Sequence, residues 1–287
     1  MNESFWISRR GFVGAGFALA MAPRLAPAFS VKGTPVVDAS RGLKLGVATY
    51  SFLRFPLDKT LEGLRRVGVH QVSVKDAHLP LKSTAAERRA VAGKFRAAGI
   101  TPMSCGVITT GDDEAEIRRA FEYARDFGVP TIVGKPTRKS LPLLDTLVKE
   151  FDIKLAIHNH GPEDKVWPSP LDVWEAIQGH DERIGLCIDV GHTARCKIDP
   201  AAAIRTCAPR LYDVHIKDIA GPNGKEDSAI EVGRGRLDER AILRALLDIK
   251  YAHLVGLEYE KDMNDPLPGI AESLGYLRGM LAGMTAG

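Results

Sequence analysis

Apolar residues recur along this chain in two alternating patterns. Short runs rich in Val, Ile and Leu fall at 43–51, 71–75, 101–107, 131–134, 154–160, 184–192, 211–217 and 252–259. These runs suit strands buried on both faces. Between them, as at 85–98, 113–127 and 240–247, apolar positions return every three or four residues, the period of a helix with one buried face. Ser83 or Thr84 ahead of Ala85, and Ser169 ahead of Pro170, supply helix starts, while Gly99 and Gly128 mark returns of the chain. Eight strand-and-helix units imply parallel crossovers that close into a single (β/α)8 barrel of the α/β class, which needs about 250 residues. A doubly wound open sheet is the alternative, but no glycine-rich phosphate turn follows the first strand. Two connections exceed what the fold needs, 160–169 after the fifth strand and 218–237 after the seventh. Both leave the carboxyl face of the barrel, where long loops build or cover a substrate pocket.

Four successive strands end in side chains able to bind a metal. They offer His158, Asp189, His215 and Glu258 in order, and neighbouring strands about 4.8 Å apart bring such groups around one point. Charge or imidazole at a buried strand end is costly without a partner. Two imidazoles and two carboxylates suit a divalent transition metal such as Mn, Co, Fe, Ni or Zn better than an all-oxygen Ca or Mg site. Alternation leaves His160 on the same face as His158, and Glu260 on the same face as Glu258.

The amino terminus stands apart from this pattern. Ser8-Arg9-Arg10-Gly11-Phe12, the apolar run 11–22 and the small residues Ala26-Pro27-Ala28 resemble a twin-arginine export signal with a cleavage site. The expected organisation is a signal at 1–28, a linker at 29–42 and the barrel at 43–287, with a periplasmic or otherwise exported mature protein that holds no stable membrane insertion. Residues 1–28 carry three arginines and one glutamate, so the formal charge of +3 falls to +1 after cleavage. Near-neutrality removes any broad electrostatic case for nucleic acid. Cys105, Cys187, Cys196 and Cys207 lack the tight spacing of a metal or redox motif. Cys105 and Cys187 read as core residues; Cys196 and Cys207 are a possible pair outside the cytoplasm.

Asp189-Val190-Gly191-His192, His215-Ile216-Lys217-Asp218, Glu231-Val232-Gly233-Arg234-Gly235 and Gly256-Leu257-Glu258-Tyr259 resemble the xylose isomerase-like barrel family of sugar epimerases and isomerases. The resemblance runs over the whole chain after the signal. It implies a divalent metal held by glutamate, aspartate, histidine and glutamate on strands five to eight. The last three map onto Asp189, His215 and Glu258, and His158 stands where the first glutamate is expected. His192 matches a histidine that faces the substrate. In the family the two glutamates flank the substrate and exchange a proton beside its carbonyl, through a metal-stabilised enolate. A metal-bound imidazole is a poor proton carrier, so His158 puts that symmetric exchange in doubt and leaves Glu258 as the expected base.

Fate of the enolate then sets the reaction: reprotonation gives isomerisation or epimerisation, and loss of a neighbouring group gives elimination, as in relatives that cleave 3-keto glycosides across C1 and C2. A non-catalytic sugar-binding barrel is the third reading. Lys75 and His192 join Glu258 as candidate catalytic residues, Lys75 as base or enolate partner. His78, His160, Lys217, Arg234 and Trp167 are candidates for contact with a small-molecule sugar or glycoside, Trp167 by stacking on the ring. Each has a plain scaffold alternative, as an ion pair or as packing under its own loop. A homo-oligomer is compatible with all of this.

Overall fold

The computed structural model describes residues 40–221 and 227–284. The signal motif, most of the linker and positions 222–226 of the loop after strand seven lie outside the described residues. Eight parallel strands close a barrel: β1 (Lys44–Ala48), β2 (Gln71–Val74), β3 (Thr101–Thr109), β4 (Thr131–Lys135), β5 (Lys154–His158), β6 (Ile184–Asp189), β7 (Leu211–Ile216) and, after a short antiparallel pair β8 (Asp218–Ile219) and β9 (Ala229–Ile230), β10 (Leu254–Leu257). Each strand pairs with its sequence neighbours, and β10 meets β1 to complete the ring. The helices α1 (Leu57–Arg66), α2 (Ala85–Ala97), α3 (Glu114–Phe127), α4 (Leu141–Phe151), α5 (Pro170–Ala176), α6 (Val190–Arg195), α7 (Pro200–Cys207), α8 (Glu239–Asp248) and α9 (Leu267–Gly283) alternate with the strands. Among the described residues, no helix is long and apolar enough to cross a membrane.

The barrel forms because its strand residues are buried on both faces, as in Ile184–Asp189, where all six positions are closed to solvent. Helix starts follow local chemistry. Thr84 accepts from Glu87 N at 3.2 Å while the Glu87 carboxylate takes Thr84 N, a reciprocal cap. Ser169 receives Asp172 N ahead of Pro170 at the first turn of α5.

Several strands are shorter than the apolar runs suggest. The first turns into a 3-10 segment at Thr49–Phe52, the fifth stops at His158, and the sixth yields to α6 directly after Asp189. The last change has a specific cause: Asp189 Oδ1 accepts the His192 amide at 2.8 Å and so caps α6. All four cysteines are free thiols, and Cys196 Sγ faces the Pro168 carbonyl rather than Cys207.

The loop after β7 is organised by one carboxylate. Asp218 Oδ1 accepts from Ile219 N and Leu237 N at 2.9 and 3.2 Å, and Oδ2 from Gly233 N and Gly235 N at 3.0 and 2.8 Å. A Cβ on Gly235 would fall 2.0 Å from Asp218 Oδ1, so the glycine is a condition of the clamp. The Gly233-Arg234-Gly235 motif is thereby explained as loop architecture.

At the start of α8, Glu239 is 2% exposed and neither carboxylate oxygen has a hydrogen-bond partner among the described residues. Burial, and then the charges of Asp218 and Asp238, raise its carboxyl well above the ordinary range. A folded-state pKa above the unfolded one means that the folded state keeps a proton the unfolded chain sheds. The stability present below the unfolded pKa is therefore lost as pH rises towards the folded one, by up to about 1.4 kcal/mol per pH unit. Glu239→Gln is expected to flatten this dependence and to melt above the parent at neutral pH. Melting curves taken from about pH 5 to about pH 8 check it; a variant that melts lower throughout would show that the carboxyl has a stabilising partner.

Candidate metal centre

The four strand-end residues converge. His158 closes β5, Asp189 closes β6, His215 lies on β7 in register with Asp189, and Glu258 directly follows β10. One ligating atom from each lies within 4.8 Å of the others, and all four residues are buried. His158 Nε2 is 3.0 Å from His215 Nδ1 and 3.6 Å from Asp189 Oδ2; His215 Nδ1 is 3.5 Å from Glu258 Oε1. Two ring nitrogens about 3 Å apart match two ligands of a single ion at about 2.1 Å each. Asp189 divides its work, because Oδ1 caps α6 while the buried Oδ2 faces His158 Nε2 and Lys217 Nζ. Two imidazoles and two carboxylates whose ligating atoms lie within 4.8 Å of one another are the donor set of a divalent transition ion, so the residues fit one. Helix cap and ligand geometry coexist in one side chain.

A buried cation stands beside the nest. Lys217 Nζ, 4% exposed at its side chain, lies 2.6 Å from Glu258 Oε2, 3.0 Å from Asp189 Oδ2 and 3.1 Å from Glu260 Oε2. Burial alone would raise the carboxyls of Asp189 and Glu258, but neighbouring cations outweigh it. His192 and Lys217 act on Asp189, Lys217 and His215 on Glu258, and both carboxyls are held well below the usual range. Burial likewise opposes the charge on Lys217, yet the three carboxylates hold its pKa well above normal. Burial lowers His158 to about 3, keeping the imidazole neutral with a lone pair available to a metal. The Cys187 thiol, in register with His158, is pushed up to about 12 by burial.

Around the nest the rim is polar. His160 Nδ1 is 3.4 Å from His158 Nδ1, and its ring stacks on His192 at a 6.1 Å centroid distance. Both rings are half-buried and face one another across the ends of β5 and β6. Lys135 ends β4 and pairs with Asp164, whose Oδ1 also accepts Val166 N and Trp167 N at 2.8 Å, fixing the loop at 160–169.

Other candidates lie elsewhere. Lys75 donates to the Val107 carbonyl at 2.9 Å and pairs with Asp76, on the β2–β3 side of the barrel. His78 is no surface for a sugar. It is 5% exposed, and its ring nitrogens lie 3.0–3.1 Å from Thr60, Thr49 and the Phe55 carbonyl. Trp167 cannot stack on a sugar ring, because it is fully buried under its loop, its Nε1 donating to the Pro136 carbonyl at 2.6 Å and its ring covered by Arg138. Arg234 is more than half exposed and paired with Glu272 on α9. Its neighbouring glycines serve the Asp218 clamp, and the guanidinium points to the helix rather than to the nest.

One residue escaped the reading of the sequence. Asn159 is fully buried; its Oδ1 accepts Asp189 N at 3.0 Å, and its Nδ2 reaches Thr193 Oγ1 at 3.2 Å. It holds the end of β6 against the end of β5. A polar residue between two inward-facing histidines was the available signal, since an outward-facing strand position beneath a helix is ordinarily apolar. Asn159→Ala is expected to weaken metal affinity about 10- to 100-fold, the usual cost of removing a support behind a ligand. Calorimetric titration of the metal-free chain with Mn²⁺ checks it; an unchanged affinity would show that Asp189 is positioned by the backbone alone.

The model of the xylose isomerase-like TIM barrel matches residues 64–280. The chain belongs to that family. A protein of Rhizobium meliloti, the rhizopine catabolism protein MocC, is 30% identical over 141 residues, 44% of this chain and 43% of its own length. The chain thus matches under half of that relative. Among solved structures, the IolI protein with a bound zinc atom superposes with a TM-score of 0.70 at 17% identity, covering 85% of this chain and 100% of its own. The 3-keto-D-glucoside 4-epimerase YcjR of E. coli gives a TM-score of 0.65 at 17% identity, covering 83% and 99%. These two share the fold.

Proposed function

We propose that this barrel is a metal-dependent enzyme that removes a proton from the carbon beside the carbonyl of a keto sugar. The observation that carries the reading is the buried nest of His158, Asp189, His215 and Glu258 at the carboxyl ends of four successive strands. That end is where barrels of this kind place their chemistry. A divalent ion held there would supply a Lewis acid for the sugar oxygens. Glu258 is the base: its carboxylate is held ionised by Lys217 and His215, so it carries no proton before the step. Lys217 stays charged and holds Glu258 and Asp189 in place. His160 and His192, paired at the rim, present ring nitrogens to substrate hydroxyls. The fold shared with a 3-keto-D-glucoside 4-epimerase supports a keto sugar as the substrate class, and the one shared with a zinc-bound protein supports the metal.

His158 favours a second reading within the same chemistry. With an imidazole on β5 in place of a carboxylate, the nest holds one base beside the substrate rather than a flanking pair. One-sided proton removal suits elimination of a group from C1 of a 3-keto glycoside at least as well as return of the proton on the opposite face. The motif at Ser8–Gly14 supports export by the twin-arginine route to the periplasm, where glycosides from outside the cell would be met.

The test uses the full mature chain, freed of metal and reloaded with Mn²⁺, Co²⁺, Ni²⁺ or Zn²⁺, in deuterated water with free keto sugars and with 3-keto glycosides. Deuterium at the carbon beside the carbonyl without bond cleavage identifies the isomerase or epimerase. Release of the aglycone identifies the lyase. Absence of both with every metal overturns the enzymatic reading.

A further inference from the structure

We infer that His158 and His215 also belong to a second, lower metal site completed by Cys187, one that takes thiophilic ions such as Cd²⁺ or Cu⁺. Ligating atoms of these three buried residues lie within 4.8 Å of one another, as those of the carboxylate set do. Cys187 precedes Asp189 by two residues on the same strand, so its side chain faces the same interior but lies roughly 6–7 Å deeper. The two sets share their histidines and differ in the third ligand type, carboxylate oxygen above and sulfur below.

A separate observation points to the lower set. His215 Nδ1 is turned towards His158 and Glu258, and the other ring nitrogen, Nε2, is buried with no hydrogen-bond partner among the described residues. The two nitrogens of an imidazole point in diverging directions, so Nε2 is directed away from Glu258. A structural histidine normally spends its second nitrogen on a carboxylate, a carbonyl or water. The Cys187 thiol interacts with this ring and has its sulfur within 4.8 Å of a ligating nitrogen of it, without a hydrogen bond of normal geometry to Nε2. Soft ions prefer sulfur and imidazole, whereas Mn²⁺ prefers carboxylate oxygen. On binding, the thiol releases its proton to solvent and becomes the thiolate ligand. His158 Nδ1 faces His160 at 3.4 Å, which leaves Nε2 as the nitrogen both sets need, so a thiophilic ion below displaces a hard ion above. The inference rests on these side chains and stands whether or not the keto-sugar reading holds.

Titration of the metal-free full chain with Cd²⁺, followed by ultraviolet absorption, tests it. A thiolate-to-Cd²⁺ charge-transfer band is expected in the parent, in Cys207→Ser and in Glu258→Gln, and is expected to be lost in Cys187→Ser. Mn²⁺ binding, read by electron paramagnetic resonance, should persist in Cys187→Ser and be displaced from the parent by Cd²⁺. Absence of the band in the parent, its survival in Cys187→Ser or its loss in Glu258→Gln would overturn the lower site. Should Cys187→Ser fail to fold, the cadmium NMR resonance of the parent decides: a shift typical of sulfur and nitrogen ligands supports the site, and one typical of nitrogen and oxygen alone excludes it.

Discussion

Glu258→Gln is expected to lower turnover of a keto sugar by about a hundred- to ten-thousand-fold, the usual contribution of a positioned general base. The amide keeps the shape of the side chain and removes its capacity to take a proton. Structural collapse is not expected, because Lys217 keeps Asp189 and Glu260 as partners at 3.0 and 3.1 Å when its 2.6 Å contact with Glu258 is weakened. Two roles meet in this residue, so two measurements are needed. Calorimetry with Mn²⁺ reports the loss of a ligand, and solvent deuterium exchange at saturating metal reports the loss of the base. Exchange should fall even where metal fully occupies the site. A variant retaining more than about a tenth of parental exchange at saturating metal would transfer the role of base to another group. Glu260 then becomes the first candidate, since it shares the face and the Lys217 contact.

The barrel and its four convergent strand ends were legible because they rest on local rules. Runs buried on both faces read as parallel strands, and alternation places His158, Asp189, His215 and Glu258 inward at their ends. The family resemblance then separated His158 from His160 and Glu258 from Glu260, choices that alternation leaves equal. Strand ends were less legible, because the strand pattern reads on past His158 and Asp189 while side-chain hydrogen bonds turn the backbone. Asn159 holds Asp189 N, and Asp189 caps α6. Least legible were roles set by partners distant in sequence. His78 looks like a sugar contact until Thr49, Thr60 and the Phe55 carbonyl close around it. Trp167 looks like a sugar platform until the Pro136 carbonyl and Arg138 bury it. Lys217 looked like a substrate contact; its ammonium is placed among three carboxylates, which meet only once the barrel has closed.

That placement makes Lys217→Met the sharpest test of how the nest is held together. Methionine fills similar space without charge, so the substitution leaves Asp189, Glu258 and Glu260 to repel one another in a buried setting. Removing one partner from a buried ionic group costs about 3–5 kcal/mol, which for a chain of this size lowers the melting temperature by roughly 10 °C. A divalent ion in the nest restores positive charge to the same carboxylates and should recover much of the loss. The expected result is therefore a strong fall in stability in the presence of a chelator and a small one with Mn²⁺, so that the metal-induced rise in melting temperature is larger in Lys217→Met than in the parent. Linkage makes the comparison quantitative, because whatever binds only the folded chain stabilises it in proportion to the logarithm of ligand over Kd. Scanning calorimetry of both chains, with and without Mn²⁺, supplies the four melting temperatures. Equal losses with and without metal would mean that Lys217 acts by packing, and that the carboxylates it touches are not the ones that meet the ion.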